Sequence, residues 1–261
     1  MISVRAATIV GALALAALGR AQGTAVPDTQ KLQQMAARFA PTDITADLSK
    51  LSDADRRVLA RLVEASKIVD ALFLRQVWNG NSGLLMELAR DESAIGRARL
   101  HYFLINKGPW SRLDHNAPFV AGVPAKPAGA NYYPDAASKA DLERWINALP
   151  EAERARASGF FTVIRRSGSS FSLVPYSIEY QGELARAAAL LRDAAQIATE
   201  PTLKAFLTKR ADAFLSNDYY DSDGLDGVEG RDRADHWPVR GLRRRAVQLQ
   251  GRLRVLHHDP G

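Results

Sequence analysis

The chain has 261 residues, of which 46% are hydrophobic and 25% charged, which is the composition of a globular protein with enough apolar mass for a core. The absence of cysteine excludes disulfides, thiol nucleophiles and Cys-ligated metal sites. The formal net charge is +6, and half of it comes from residues 224–261, which hold eight arginines and five acids. The remaining body is nearly balanced, so it lacks the basic footprint of a nucleic-acid-binding protein.

The first residues have the layout of a secretory signal. A short basic start at Met1–Arg5 precedes the apolar run Ala6–Leu18, and small residues come next at Gly19 and Ala21. The run is too short to cross a bilayer, and no later stretch is apolar enough to do so. The sequence therefore predicts a signal peptide at 1–21, a periplasmic or secreted protein, and no membrane insertion after signal removal.

Most of residues 22–223 shows helical patterning. Ser52 can cap a long helix with an apolar stripe to Val77, where an Asn/Gly-rich stretch stops it. Other helices are predicted on the same grounds at Thr29–Arg38, Leu84–Arg90, Ile95–Ile105, Ser138–Leu149, Glu183–Ala198 and Pro201–Leu215.

Two segments depart from this pattern. Residues 108–137 are rich in proline and glycine, which predicts a long irregular loop of functional interest. Phe160–Arg166 and Phe171–Val174 flank a Ser/Gly turn and predict a β-hairpin. The expected fold class is mainly α with a small β-hairpin (α+β).

Several polar groups are candidates for chemistry, each with a plainer interpretation. His115 beside Asp114 could be a general base, or a solvated loop histidine, which we favour. Residues 131–134 could line a groove or form a packed turn. His101 is expected in the core. The densest cluster spans Ser216–Asp223, where acids and phenols could receive a cation or a substrate amine, or merely decorate a loop.

Four ordered blocks carry a resemblance to a known family. They are residues 102–114 (YFLINKGPWSRLD), 129–134 (GANYYP), 159–165 (GFFTVIR) and 209–223 (KRADAFLSNDYYDSD). The region from about Met35 to Asp223 resembles the dipeptidyl peptidase III family in its shorter bacterial branch, often labelled zinc-dependent hydrolase. It is also similar to the related part of certain plant Nudix fusion proteins.

The resemblance implies a two-lobed metallopeptidase that removes dipeptides from peptide N-termini, with this chain as its helical N-terminal portion. Zinc in the intact family is held by a His-Glu helix motif and a Glu from a second helix. Those motifs lie C-terminal to everything present here, so this chain is expected to hold no zinc and no catalytic residue. By position, residues bordering the peptide site would be Asn217, Asp218, Tyr219, Tyr220 and Asp223.

The last 38 residues, 224–261, have a narrowed composition, without Lys, Ile, Met, Phe, Tyr, Asn, Ser or Thr. One permissible choice of codons, read from the second base, gives a segment similar to the stretch that normally comes after the 209–223 block in the family. We therefore expect a frameshift after Asp223 that truncates the chain. The alternative is a genuine basic tail that grips phosphates or anionic lipid.

A rival from another functional class is a standalone helical module. It would hold peptides with the 108–137 loop and the Asn217–Asp223 acids, without any turnover. Saturable peptide binding by an inactive chain would favour this alternative.

Overall fold

Helices dominate the described part of the chain, which a computed structural model gives as residues 26–43, 45–135 and 137–225. The predicted signal at 1–21 and the tail beyond residue 225 lie outside these ranges. The helices are α1 Thr29–Ala36, α2 Asp53–Val77, α3 Asn81–Arg90, α4 Ala94–Asn106, α5 Lys139–Asn147, α6 Glu151–Ala157, α7 Tyr176–Glu179, α8 Gln181–Ile197, α9 Pro201–Ser216 and α10 Tyr220–Leu225. In none of them is there an apolar stretch of the length that a membrane crossing requires.

Two short antiparallel strand pairs accompany the helices. Trp110–Ser111 (β1) pairs with Ala117–Pro118 (β2), and Thr162–Ser167 (β3) pairs with Ser170–Pro175 (β4). One turn of 3-10 helix lies at Ala130–Tyr132. The prediction of a mainly α fold with a small β-hairpin is confirmed, and β1–β2 is a second pair inside the segment expected to be irregular.

The longest helix, α2, begins where the sequence predicts it. Ser52 Oγ accepts the N–H of Asp55, and the Asp55 carboxylate accepts the Ser52 N–H in return, which completes a capping box. One face of α2 then packs on α8, and α8 packs in turn on α9. Leu62, Leu191 and Leu207 are buried there among alanines, so the three helices approach closely around one apolar core.

A second core lies between α1, α3 and α4. Tyr102 and Phe103 on α4 are fully buried and belong to one apolar cluster with Leu32 of α1. Phe119, from the segment after α4, completes this core, and its ring meets Tyr102 edge to face with 4.8 Å between centroids. The segment expected to be a loop is therefore anchored by its own aromatic side chain.

The β3–β4 hairpin covers the end of α2 and the start of α8. Its connection is a two-residue turn, since Ser167 pairs directly with Ser170, and Gly168 there takes φ +59°. Val163 is fully buried against Leu72 and Leu184, so the hairpin has one face in the core. Phe161, the residue before β3, lies against Tyr219 at the corner where α9 and α10 meet.

Candidate functional site

The predicted site residues 217–223 form the corner between α9 and α10. Asn217 ends α9 in the left-handed conformation (φ 62°), which asparagine tolerates well. Its Oδ1 accepts the Ser177 N–H at 2.9 Å and its Nδ2 donates to Ser177 Oγ at 2.6 Å. Asn217 thus ties α9 to α7, and its amide is occupied by that link.

Tyr219 packs the corner against the β-hairpin. Its ring stacks on Phe161 with 4.6 Å between centroids, and the Arg210 guanidinium lies 5.4 Å from its centroid. Burial raises the pKa of the Tyr219 phenol to about 12, so the ring stays neutral at physiological pH. Tyr219 is accordingly a packing residue of the corner.

The three carboxylates of the corner are used in different ways. Asp221 pairs with Lys209 at 2.8 Å and Asp223 pairs with Arg210 at 2.7 Å, which fastens α10 to α9. Asp218 accepts the Tyr220 N–H at 3.1 Å and is exposed. Tyr220 is 84% exposed. Of the five predicted site residues, Asp218 and Tyr220 are therefore the two whose side chains are most open to a ligand.

The Asp114–His115 pair is not a catalytic dyad in this structure. Asp114 forms an ion pair with Arg38 and accepts the Ser111 hydroxyl, and these bonds lower the pKa of its carboxyl to about 2. His115 is exposed, with φ 49°, as expected of a solvated loop histidine. Asp114 instead connects α1 to the segment after α4.

Two other sequence expectations have clear outcomes. His101 is exposed on α4, so its assignment to the core is wrong, because the buried face of that helix is formed by the next two residues. The segment 131–134 is a packed turn. The Asn131 side chain donates to Arg75 O at 2.9 Å, and its carbonyl accepts Arg165 Nη1 at 3.0 Å.

A tyrosine cluster that sequence reasoning did not find lies beside this turn, between the hairpin, α7 and α8. Tyr132 stacks on Tyr176, and burial raises the pKa of both phenols; it raises that of Tyr180 to about 12. Two half-buried ion pairs flank the rings, Arg165–Glu179 at 2.6 Å and Arg75–Glu183. The four-residue spacing of Tyr176 and Tyr180 was the available signal. Because the phenols stay protonated, this cluster offers neutral packing surface and hydrogen-bond donors.

The described residues do not fit a zinc site. No three His, Cys, Asp or Glu side chains converge in the ranges 26–43, 45–135 and 137–225 in a way that could hold a metal ion. The carboxylates of Asp221 and Asp223 at the α9–α10 corner are engaged by Lys209 and Arg210. We therefore assign no metal-dependent catalytic step to these described residues.

The described part of the chain has a mainly helical α+β fold that is found in solved structures of other proteins. It is similar to the solved structure of dipeptidyl-peptidase III from Corallococcus sp. strain EGB, with TM-score 0.76 and 52% identity over 78% of this chain and 38% of that one. It is also similar to the structure of DPP III from Caldithrix abyssi, with TM-score 0.71 and 42% identity over 74% of this chain and 36% of that one. The chain belongs to a dipeptidyl-peptidase-III-like family.

A curated relative carries another name. Nudix hydrolase 3 of Arabidopsis thaliana is 34% identical in an alignment 242 residues long, and the match covers 74% of this chain and 31% of that protein. No family model matches the chain. The chain thus spans between about 30% and 40% of the length of the relatives it matches.

Proposed function

We propose that this chain is the helical portion of a hydrolase that resembles dipeptidyl-peptidase III and releases dipeptides from peptide N-termini. The likeness to the Corallococcus enzyme, 52% identical over 78% of this chain, is the observation that carries the proposal. Zinc would belong to the intact enzyme, on a His-Glu helix motif and a second Glu outside the described residues. The part described here would contribute to the peptide site.

The α9–α10 corner is the proposed contact with the peptide. Asp218 would attract the ammonium of a peptide, and Tyr220 would offer an exposed ring and hydroxyl beside it. Asn217, Tyr219 and Asp223 would position this pair, because they fix the α9–α10 corner through Ser177 of α7, the Phe161 ring and Arg210 of α9. In this proposal the corner holds substrate without taking part in bond cleavage.

The proposal predicts that the full chain, purified alone, contains no stoichiometric zinc and releases no dipeptide from a dipeptidyl substrate with a chromogenic leaving group. Zinc content by mass spectrometry and a hydrolysis assay with and without chelator check both statements. One tightly bound zinc with chelator-sensitive release would overturn the expected lack of activity.

Peptide binding is tested separately, by calorimetry with short peptides. Saturable binding that is weakened in Asp218→Asn and Tyr220→Ala, and unchanged in the exposed control Asp193→Asn, supports the corner as the peptide site. Equal binding in all three variants would remove the corner from the proposal. Saturable binding with no turnover is also the expected result for a standalone peptide-binding module.

Export and a frameshift stay predictions that lie outside the described residues. N-terminal sequencing of the mature protein from periplasm or medium tests cleavage after residue 21. Sequencing the coding DNA from the Lys209 codon through the stop tests the frame. A second frame that runs on into a His-Glu zinc motif supports the frameshift. A closed frame contradicts it and favours the standalone module.

A further inference from the structure

Arg210 is more enclosed than Lys209, the neighbouring cation of the α9–α10 corner. The Arg210 side chain is 17% exposed, against 44% for Lys209. Arg210 pairs with Asp223 at 2.7 Å. Lys209 pairs with Asp221 at 2.8 Å, so the two ion pairs are of similar length. The difference between the two cations therefore lies in what else Arg210 contacts.

Two aromatic rings hold the Arg210 guanidinium. Its Cζ lies 5.3 Å from the centroid of Phe206, one turn earlier on α9, and 5.4 Å from the centroid of Tyr219. Tyr219 is itself fixed by its stack on Phe161. A planar guanidinium can lie against rings while its N–H groups still point at a carboxylate. The orientation of Arg210 is therefore defined before any ligand binds.

Arg210 contacts both ends of the short segment that contains Tyr220. Tyr219 begins this segment and Asp223 lies at its other end, and the Asp223 N–H donates to Tyr219 O at 2.9 Å. Asp218 directly precedes Tyr219 and accepts the Tyr220 N–H at 3.1 Å. The two proposed peptide contacts, Asp218 and Tyr220, are thus the immediate chain neighbours of a ring that Arg210 holds.

We propose that Arg210 is a positioning residue for the peptide site: it holds residues 219–223 so that Asp218 and Tyr220 are presented together, without contacting the peptide itself. This inference rests on the proposed function of the corner. Within the part of the chain described, Lys209 pairs with Asp221 and meets no ring, so it serves as the matched comparison.

The first test needs no ligand and uses the full chain. Amide hydrogen exchange at Asp223 should be about tenfold faster in Arg210→Gln, because the carboxylate loses its charged partner and Tyr219 loses its cation. Lys209→Gln removes an ion pair of similar length and should change that rate little. Equal exchange at Asp223 in the two variants would overturn the proposal.

The second test measures the affinity for tetra-alanine with a free N-terminus by calorimetry. Arg210→Gln should weaken binding about tenfold, and Lys209→Gln at most about twofold. Arg210→Lys keeps a charge for Asp223 but not the planar contact with the rings, so its affinity should be intermediate. Arg192→Gln breaks another 2.7 Å ion pair of α9, with Asp212, and should leave binding unchanged.

The outcomes separate this inference from the proposed function. Absence of tetra-alanine binding by the parent chain would overturn the peptide site and the role of Arg210 with it. Parent-like binding in both Arg210→Gln and Arg210→Lys would overturn the role of Arg210 alone. Equal weakening in Arg192→Gln would also overturn it, because a general loss of stability would then explain the effect. Circular dichroism verifies the fold of each variant, and Arg210→Lys keeps the test valid if Arg210→Gln does not fold.

Discussion

The layer formed by α2, α8 and α9 differs from the segment 107–135 in the interactions that stabilise it. In the helical layer, backbone N–H and C=O groups pair within each helix, so the inward side chains need only be apolar and of the right size. Several are alanine, for example Ala188, Ala194 and Ala211, which are fully buried. Because these buried side chains are small, the helices of this layer pack at short distances from one another.

The segment 107–135 has little regular structure and yet contains buried residues, among them Trp110, Ser111 and Phe119. Outside the short β1–β2 pair, its backbone groups need partners that no ladder supplies. Asn106 gives one example: its Oδ1 accepts the Arg112 N–H at 3.0 Å while its Nδ2 donates to Tyr102 O at 2.9 Å. Irregular chain is thus fixed by particular polar side chains, whereas the helical layer is fixed by apolar volume.

The largest effect is expected from removing volume in the helical layer. Leu207→Ala should lower the free energy of unfolding by about 2–5 kcal/mol, because Leu207 is 1% exposed and its loss leaves a cavity. Leu215→Ala, on the same helix but 41% exposed, is the matched control and should cost far less. Urea unfolding followed by circular dichroism measures both. Similar losses in the two variants would contradict volume as the determinant.

An intermediate loss of stability is expected from removing the Asn106 side chain, which links α4 to the irregular segment. Asn106→Ala should cost about 1–3 kcal/mol, because it leaves the Arg112 N–H and the Tyr102 carbonyl without their side-chain partner. Asn147→Ala is the control: it makes the same substitution at the exposed end of α5, where the asparagine does not link two segments. Hydrogen exchange should show faster exchange at Arg112 in the first variant. An unchanged exchange rate at Arg112 would show that the Asn106 hydrogen bonds do not stabilise the segment.

Local sequence signals predicted most helices, since their caps and stripes act over a few residues. Ser52 and Ser138 cap the helices that come after them, and Pro201 opens α9. The short α6, α7 and α10 were not predicted. α10 lies in the polar Ser216–Asp223 cluster, two of whose acids instead serve to fasten it to α9. The sequence of α10 lacks an apolar stripe because the helix is stabilised by ion pairs with Lys209 and Arg210 of α9.

The candidate site was predictable in position but not in the roles of its residues. Asn217 was selected as a possible ligand contact, yet its amide binds Ser177, forty positions earlier in the chain. His115 was the only partner of Asp114 that the sequence suggested, and a solvated histidine was favoured over that pairing; the structure gives Arg38, 76 positions away, as the partner. Such pairings depend on how α1 and α7 dock, which composition and spacing do not encode. The tyrosine cluster escaped prediction for the same reason.

The smallest effect is expected from the Arg38–Asp114 ion pair, because both side chains are 38% exposed and solvent screens them. The pKa of Asp114 is lowered to about 2, first through its bond to Arg38 and then through its bond to Ser111. A lowered carboxyl pKa adds stability that is complete above the ordinary value near 4 and disappears as the pH falls toward 2. The contribution of this pair should therefore be present at neutral pH and absent in strong acid.

Arg38→Gln tests this contribution. Its effect on stability should depend on pH, whereas the effect of a substitution in the apolar helical layer should not. The difference in unfolding free energy between the parent chain and Arg38→Gln should shrink as the pH falls from about 4 to about 2. Arg186→Gln, an exposed arginine on α8, should show no such pH dependence. The deficit of Leu207→Ala should also persist in acid, because buried volume does not titrate. A deficit of Arg38→Gln that stays constant across this range would mean that the arginine acts through packing of its stem and not through its charge.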